Sequence, residues 1–354
     1  MRREQFIGGG VILAVAALVG VGLWQISHPR AARWVAVGRY PQGVMGTDCT
    51  LAAVVQEGEE GRAEQALDEA EAVLRGVESR MSTWLSDSEI SRLNAAGAGE
   101  EVPLSPETLA VLRAAREAAG ESEGAFDVTV RPLINLWRGA GERDRLPTEA
   151  EVAEARAASS WEMIELTEKG AIKRRAEASV DLGGVAKGYA IDRAIETLQR
   201  AGGGGGLVDV GGDLRCFGRP LEGEEWPVEV KDPFAEGNLG ELRVRNAAVC
   251  TSGNYARFTV IGGKPYSHII DSRSGRPAAA VPSVTVIAPE ALTADVWATA
   301  LSVLGVQGLE RLPPEADAVM VLGDKEDYGI TCTPRVAKLV GGPLRERLTV
   351  WQAD

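Results

Sequence analysis

A short segment combines the residue types that a phosphate-binding turn requires. In Asp181-Leu-Gly-Gly-Val-Ala-Lys187, an acid, two glycines and a lysine stand where a predicted strand, residues 178–182, passes into a predicted helix, residues 184–201. Glycines let a ligand approach the backbone, and the free N–H groups at a helix N-terminus attract anions. Asp181 and Lys187 are therefore candidate ligand-binding residues. The alternative is an ordinary strand-to-helix turn with a surface lysine.

A second segment places two hard oxygen ligands on one face of a helix. Asp295 and Thr299 are four residues apart in a predicted helix over residues 292–304, so their side chains lie one turn apart. A carboxylate and a hydroxyl suit Mg²⁺, which commonly completes its shell with water and substrate phosphate oxygens. The two segments together predict a site for a phosphate-containing ligand and a hard cation. Alternatively, Asp295 only stabilises the helix N-terminus electrostatically.

One of the two histidines of the chain lies close to a carboxylate. His268 precedes Asp271 by three residues in Ser267-His-Ile-Ile-Asp271, whereas His28 lies near the N-terminus. A histidine beside a carboxylate can act as a general base near neutral pH. The alternative is a structural histidine that takes no part in chemistry.

Two further segments contain groups that could recognise a planar heterocycle. In Gly124-Ala-Phe-Asp127, the amide groups and the Asp127 carboxylate could hydrogen-bond to the edge of a ring. Trp84 offers an aromatic face on which a ring could stack. The alternatives are a helix N-cap for Asp127 and a core tryptophan for Trp84.

The chain begins with a segment typical of export or membrane anchoring. Residues 6–26 carry no charge, and 21 residues are enough to span a bilayer, with Arg2 and Arg3 remaining on the cytoplasmic side. A cleaved signal peptide is the alternative. Either interpretation places the body of the protein outside the cytoplasm, on the periplasmic side, and the first anchors it to the inner membrane.

The cysteines give no sign of a zinc or redox motif. Cys49, Cys216, Cys250 and Cys332 form no Cys-x-x-Cys pair, and each lies among apolar or strand-like residues. We interpret them as small buried hydrophobic residues. One disulfide remains an alternative in an oxidising compartment.

Composition and periodicity indicate the class of fold. The chain has 354 residues, 45% of them hydrophobic, and a net charge of −13, which argues against nucleic acid as a partner. Strands dominate from residue 161, interrupted by the two helices at the candidate site, and this favours an α+β domain with mixed or antiparallel sheets and flanking helices. Helices are also predicted over residues 59–80, 106–119, 127–137 and 148–158. We divide the chain into an N-terminal anchor or signal segment (1–27), a linker (28–42), one domain (43–345) and a C-terminal tail (346–354).

In their order along the chain, these segments resemble the ApbE family, the FAD:protein FMN transferases. The resemblance covers roughly residues 43–340, and eight motifs in one order are far more specific than any single motif. The motifs are Met45-Gly-Thr47, the segment from Met81 to Asn94, the segment from Gly124 to Trp137, the segment from Val180 to Asp192, Leu207-Val-Asp-Val-Gly-Gly-Asp213, Thr251-Ser-Gly-Asn-Tyr255, Ser267-His-Ile-Ile-Asp271 and Ala294-Asp-Val-Trp-Ala-Thr299.

The resemblance implies a single ApbE-like domain that takes FAD as a substrate, requires Mg²⁺, and moves the FMN portion to a threonine hydroxyl of a target protein with release of AMP. It implies a catalytic role for His268, and either His268 or Asp271 would serve as the base. It assigns FAD contacts to Met45, Trp84, Ala125, Phe126, Asp127, Asp181, Lys187 and Ile270. It assigns metal positions to the backbone of Gly184, the carbonyl of Ala298, and the side chains of Asp295 and Thr299.

The expected partner is a redox protein whose threonine becomes flavinylated, in an extracytoplasmic domain of a membrane redox complex, while the N-terminal segment contacts the membrane. Two alternatives use the same residues: a Mg²⁺-dependent FAD pyrophosphatase that gives FMN and AMP, and a non-catalytic FAD-binding accessory protein. This chain departs from the family pattern at Trp84, where tyrosine is frequent, and at Ser272, where proline is frequent.

Overall fold

The structure is a computed structural model that describes residues 33–253, 258–278, 281–341 and 343–352. The predicted anchor or signal segment, residues 1–27, and residues 28–32 of the predicted linker lie outside the described residues.

The α-helices, α1 to α9, span Glu60–Met81, Glu89–Ala95, Pro106–Glu121, Arg131–Glu142, Glu149–Ala158, Ala186–Ala201, Ala291–Leu304, Val336–Leu339 and Pro343–Arg347. Short 3₁₀ segments span Val128–Val130, Trp161–Met163 and Gly305–Arg311.

The strands, β1 to β19, span Trp34–Arg39, Cys49–Gln56, Glu101–Pro103, Ile164–Leu166, Gly170–Lys173, Gly205–Val210, Asp213–Gly218, Trp226–Lys231, Asn238–Val244, Ala247–Gly253, Phe258–Ile261, Lys264–Ser267, Ile270–Asp271, Arg276–Pro277, Ser283–Ala288, Asp317–Gly323, Tyr328–Cys332, Val340–Gly341 and Leu348–Val350.

One large sheet organises the fold. Its strands follow the order β1-β2-β6-β7-β10-β15-β16-β17-β19, antiparallel throughout except for the parallel pair β17–β19. The interior strand β15 is buried along its whole length, as its sequence Ser-Val-Thr-Val-Ile-Ala, rich in β-branched residues, allows. The α+β class with mixed and antiparallel sheets is confirmed.

The two faces of this sheet carry separate cores. Helices α1, α6 and α7 cover one face, and their apolar stripes pack into the larger core with the inward residues of β2, β6 and β15. Strands β8 and β9 and the short helix α8 cover the other face, where residues such as Trp226 and Leu242 pack into the second core. The candidate ligand-binding turn lies on the helical side, because it leads into α6.

Local sequence signals place the helix boundaries. The apolar stripe of α1 is buried, Ser105 caps α3 by accepting from the N–H of Thr108, and Thr148 and Glu151 form a reciprocal capping box at α5. Pro132 lies within the segment predicted as a helix over residues 127–137, but it does not interrupt α4. It stands in the first turn of α4, where its missing N–H leaves no hydrogen bond unmade.

Three predictions about extended segments and boundaries were wrong. Residues 34–39 of the predicted linker form β1, whose six residues pair with β2 because Val35 and Val37 face the core. Residues 348–350 of the predicted tail form β19. Residues 178–182 were predicted as a strand but do not form one. The backbone of Val180 is hydrogen-bonded to the side-chain amide of Asn94 and not to a neighbouring strand. The Val180 N–H donates to the amide oxygen at 2.8 Å, and the amide nitrogen donates to the Val180 carbonyl at 2.9 Å.

Among the described residues, only the helical stretch Ala291–Arg311 is long and apolar enough to cross a membrane by length and composition. It comprises α7 and the following 3₁₀ segment, and 56% of its apolar stretch is buried within the fold. We interpret it as the core helix that carries Asp295 and Thr299.

Candidate functional site

The glycine turn ahead of α6 is fixed by hydrogen bonds around Asp181. The Asp181 N–H donates to the carbonyl of Val128 at 2.7 Å, and its carboxylate accepts from the N–H of Gly183 at 2.9 Å and from Arg131 at 2.9 Å. Val185, ahead of α6, gives it no side-chain cap, and the Asp295 carboxylate instead accepts the N–H of Gly188 in the first turn, so a ligand would share the positive end of the helix dipole with Asp295. Arg131 lies in the first turn of α4, and the ion pair therefore joins α4 to the glycine turn.

The glycine turn and α7 meet at Gly184. A Cβ atom built on Gly184 would lie 3.0 Å from Thr299 Oγ1 and 3.3 Å from the ring of Phe126. The hydroxyl of Ser252, at the end of β10, lies 3.4 Å from that of Thr299. Residues from three separate sequence motifs thus surround one position, and only glycine leaves room there for close approach.

Asp295 is buried beside the first turn of α6. It is 4% exposed, and its carboxylate accepts a hydrogen bond from the N–H of Gly188 at 3.0 Å. Burial raises the pKa of Asp295 above its ordinary value, although the Lys187 ammonium and the Gly188 N–H oppose the rise. The carboxylate therefore lies where a cation would be strongly stabilising.

Lys187 forms an ion pair with Asp213. The Asp213 side chain is 3% exposed, and its other oxygen accepts from the N–H of Thr251 at 2.9 Å. One ammonium thus faces the two buried carboxylates of Asp213 and Asp295, which leaves an excess of negative charge. Lys187 was predicted to hold phosphate directly. In the structure the Lys187 ammonium is paired with the Asp213 carboxylate. This carboxylate partly neutralises the positive charge that Lys187 would present to a phosphate.

These residues fit a hard cation such as Mg²⁺. Among the described residues, no three His, Cys, Asp or Glu side chains cluster as a metal site, so the ligands here would be one carboxylate, one hydroxyl and one backbone carbonyl. Such a mixed oxygen set suits a cation that also binds substrate phosphate. The predicted carbonyl of Ala298 fits less well, since it already accepts the Ser302 hydroxyl at 2.8 Å within α7. The other predicted backbone ligand, the carbonyl of Gly184, belongs to the residue that meets Thr299.

The Gly124–Asp127 loop borders this position through Phe126. The carboxylate of Asp127 accepts from the N–H and the hydroxyl of Thr129, each at 2.8 Å, so the predicted N-cap is present. Burial raises the pKa of Asp127 to about 6, against the effect of those two hydrogen bonds. Asp127 could therefore exchange a proton with a ligand ring near neutral pH.

The segment with His268 and Asp271 is connected to the same loop. The hydroxyl of Ser272 donates to the carbonyl of Gly124 at 2.8 Å, a bond that proline at this position could not make. Ile270 is buried, and His268 is exposed just after β12. Burial raises the pKa of Asp271, but hydrogen bonds from Arg273 outweigh it and hold the pKa below its ordinary value. Asp271 is therefore a weaker candidate for the base than His268.

The remaining predicted residues, Trp84 and Met45, do not take part in the contacts described above for Gly184. Trp84 is 79% exposed and is not a core residue, and the guanidinium of Arg138 lies 5.1 Å from its ring centroid. Met45 is in a tight turn in which Val44 and Thr47 exchange backbone hydrogen bonds at 3.0 and 3.1 Å.

Sequence reasoning missed three polar residues of this site. Arg131 directly precedes Pro132, Asp213 follows Gly-Gly, and Ser252 lies within Thr251-Ser-Gly. All three stand inside recognised motifs but had no assigned role, because their partners Asp181, Lys187 and Thr299 are distant in sequence. Arg131 had no local signal, since a single arginine in an amphipathic helix is usually a solvated side chain.

Comparisons with known proteins agree with the geometry. A family model described as the ApbE family matches residues 45–321. The chain is 36% identical over 242 residues to an FAD:protein FMN transferase from Vibrio cholerae serotype O1, which covers 67% of this chain and 72% of that protein. It is 33% identical over 253 residues to an FAD:protein FMN transferase from Haemophilus influenzae, covering 68% and 73%. Its fold is similar to that of the flavin transferase ApbE from Vibrio cholerae, with a TM-score of 0.74, 30% identity, and coverage of 87% of this chain and 100% of that chain.

Proposed function

The chain belongs to the ApbE family, and on that basis we propose that it transfers the FMN portion of FAD to a threonine hydroxyl of a target protein. The observation that carries the proposal is the meeting of Gly184, Thr299 and buried Asp295 beside the N-terminus of α6. A cation ligand set and a helix terminus together suit a pyrophosphate.

The reaction forms one bond and breaks one. The threonine Oγ attacks the phosphorus atom of the FMN portion, and an Oγ–P bond forms as the bond from that phosphorus to the bridging oxygen breaks. AMP leaves with the bridging oxygen, and the threonine proton passes to a base. Phosphoryl transfer of this kind depends mainly on positioning and on stabilisation of the developing charge.

Asp295, Thr299 and the carbonyl of Gly184 would hold Mg²⁺, which supplies charge neutralisation at the pyrophosphate and at the leaving oxygen. The N-terminus of α6 would position the phosphates. The Lys187 ammonium would attract the phosphates while it remains paired with the Asp213 carboxylate. Arg131 fixes Asp181 and so keeps the glycine turn in place. Asp127 would accept from, or donate to, the edge of the flavin or adenine ring.

His268 would take the threonine proton. It is exposed to an approaching acceptor and lies two residues before buried Ile270, whose strand β13 pairs with β14. The ordinary pKa of a histidine suits a general base near neutral pH. We expect His268→Ala to slow transfer more than it weakens FAD binding, and equal losses would instead indicate a binding residue.

The decisive experiment uses the full chain in detergent with FAD, Mg²⁺ and an acceptor domain, and it monitors both acceptor mass and AMP release. Wild-type protein should add FMN to the acceptor but not to a Thr→Val acceptor. Asp295→Asn should lose at least about 100-fold in rate, since a metal ligand is removed. AMP and free FMN without a modified acceptor would indicate the pyrophosphatase instead, and near-normal Asp295→Asn would refute the metal assignment.

We further propose that residues 6–26 anchor the protein to the inner membrane with the enzyme domain on the periplasmic side. The support is the uncharged 21-residue length and the arginines that precede it. The acceptor would then be an extracytoplasmic domain of a membrane redox complex. Membrane fractionation of the full chain and protease accessibility from the periplasm test this topology.

A further inference from the structure

Four exposed large apolar side chains occur in two pairs close to one helix. Trp84 and Leu85 are 79% and 41% exposed, and Phe258 and Val260, on β11, are 56% and 48% exposed. Exposed apolar side chains that are grouped commonly mark an interaction site, whereas single ones are ordinary.

Both pairs lie against the C-terminal half of α4. The Trp84 ring is next to Arg138, and a Cβ atom built on Gly141 would lie 2.2 Å from the Thr259 methyl group. Positions 138 and 141 are one helical turn apart, so Trp84 and strand β11 contact the same part of α4. A hydrogen bond of 2.6 Å from the N–H of Gly262 to Asp144 fixes the turn of the β11–β12 hairpin to the end of α4.

Side chains along β11 alternate between the outer and the inner face of the strand. Thr259 and Ile261 point toward the protein, and Ile261 joins a small core with Leu133 and Trp137 of α4. Phe258 and Val260 therefore point away from it. We call these two outward side chains the hairpin face.

The hairpin face is continuous with the candidate active site in two ways. Strand β12, which pairs with β11, ends one residue before His268. The opposite end of α4 carries Arg131, which binds Asp181 at the glycine turn. Within the hairpin, Phe258 pairs with Ser267, the residue before His268, so the hairpin face begins beside the proposed base.

We propose that the hairpin face docks an extended apolar segment of the acceptor protein close in sequence to the threonine that receives FMN. The inference rests on the proposed transferase function. Two side chains are too few for a stable interface between copies of this chain, which needs about 800 Å² per partner, but they suit a transient substrate encounter. Phe258 and Val260 lie beside His268 and α4, so a segment bound to them would bring its neighbouring threonine close to the proposed base.

The test is Phe258→Ser with Val260→Ser in the full chain. Leu221→Ser is the matched control, because Leu221 is 49% exposed and lies between β7 and β8, whose strands border the second core. The double variant should raise the KM for the acceptor about tenfold, as expected for the loss of two half-exposed apolar contacts. Its kcat, its FAD dissociation constant and its urea midpoint should stay at wild-type values, and Leu221→Ser should change none of them.

An unchanged acceptor KM, or an equal rise in Leu221→Ser, would overturn the docking inference while the transferase function stands. A wild-type chain that transfers no FMN would overturn the transferase function and the inference with it. A photo-reactive residue at position 260 gives a second readout: it should cross-link to the acceptor, and failure to do so in a chain that still transfers FMN would contradict the inference.

Discussion

Lys187 controls the charge balance of the candidate site. Its ammonium pairs with Asp213 and also opposes the raised pKa of buried Asp295. Lys187 keeps about a third of its side chain exposed, whereas the Asp213 carboxylate is almost fully buried. Removing the lysine would therefore leave a buried carboxylate without a counter-charge, which is the costly way to break an ion pair.

We expect Lys187→Met to lower the free energy of unfolding by about 3–5 kcal/mol, measured by urea denaturation without FAD. Adding Asp213→Asn should restore most of the stability, because the unpaired charge is gone, but should not restore FMN transfer. Lys169→Met, at an exposed lysine, should stay within about 0.5 kcal/mol of wild type. A Lys187→Met protein as stable as this control would contradict the charge-balance argument.

Asp127 gives the site a measurable pH dependence. Its folded pKa, about 6, is above the unfolded value of 3.8 because burial disfavours the charged form. The folded state therefore holds a proton between these values that the unfolded state has lost. The stability that Asp127 contributes is complete below about pH 4 and is lost as pH rises through 6.

Asp127→Asn should remove this pH dependence. The unfolding free energy of the wild type should fall relative to the variant by up to about 3 kcal/mol between pH 4 and pH 7. The asparagine side chain keeps an oxygen that can accept from Thr129, so the comparison isolates the proton. Parallel stability curves for the two proteins over this range would show that the carboxyl titrates at its ordinary pKa.

At the scale of elements, two close helices set the candidate metal position. A Cβ atom on Gly188 of α6 would lie 2.3 Å from the carbonyl oxygen of Ala291, the first residue of α7. Asp192 of α6 accepts from the N–H groups of Ala291 and Leu292 at 2.8 and 2.9 Å, and also binds Arg215. The remote carboxylate thus caps α7 and fixes the helix that carries Asp295.

Gly188→Ala should separate α6 from α7 and displace the Asp295 carboxylate from the Gly188 N–H. We expect a loss of about 1–3 kcal/mol in unfolding free energy and weaker Mg²⁺ dependence of transfer. Gly120→Ala, in α3 where a methyl group would meet open space, should stabilise by up to about 1 kcal/mol through helix propensity. The two Gly→Ala substitutions should therefore change the free energy of unfolding in opposite directions. Equal changes in the two variants would contradict the close approach of α6 and α7 at Gly188.

A second element, the extended segment before the glycine turn, is held by side chains. Asn94 bonds Val180 on both sides, and the fully buried ammonium of Lys173 donates to the carbonyls of Asn94 and Ala176, each at 2.8 Å. Burial lowers the pKa of Lys173. These bonds replace a strand ladder, so the turn at Asp181 keeps its position without a sheet partner.

At the scale of the whole molecule, the large sheet separates two cores, and each contains two cysteines. Cys49 and Cys250 lie in the helical core, and Cys216 and Cys332 lie in the second core. All four are buried and none forms a disulfide, which agrees with the interpretation as small hydrophobic residues. Burial raises the pKa of Cys49 and of Cys216 to about 11.

The native protein should therefore react slowly with a thiolate-specific reagent such as DTNB, even though it is expected to function in an oxidising compartment. Titration of the full chain should give fewer than one fast thiol under native conditions and four after unfolding in guanidinium. A count below four in the unfolded protein would reveal a disulfide and contradict the structure.

The sequence alone determined the α+β class, the helices α1, α3 and α5, and the motifs that indicate the family. These features depend on contacts within a few residues: apolar spacing of 3.6, a serine or threonine N-cap, or a proline in a first turn. It also placed Asp295 and Thr299 on one helical face, because i and i+4 neighbours need no tertiary information.

Tertiary structure alone decided which of these segments meet. Lys187 pairs with Asp213, Arg131 with Asp181, and Gly184 borders Thr299, although no local pattern relates such distant residues. Tertiary contacts also decided that residues 34–39 form the edge strand β1, because this strand exists only through its pairing with β2. Likewise, they decided that residues 178–182 are hydrogen-bonded to the side-chain amide of Asn94 and not to a strand. The physical reason is that these hydrogen bonds and ion pairs join residues far apart in the sequence, which the fold brings together. Local sequence patterns contain little information about which distant residues meet.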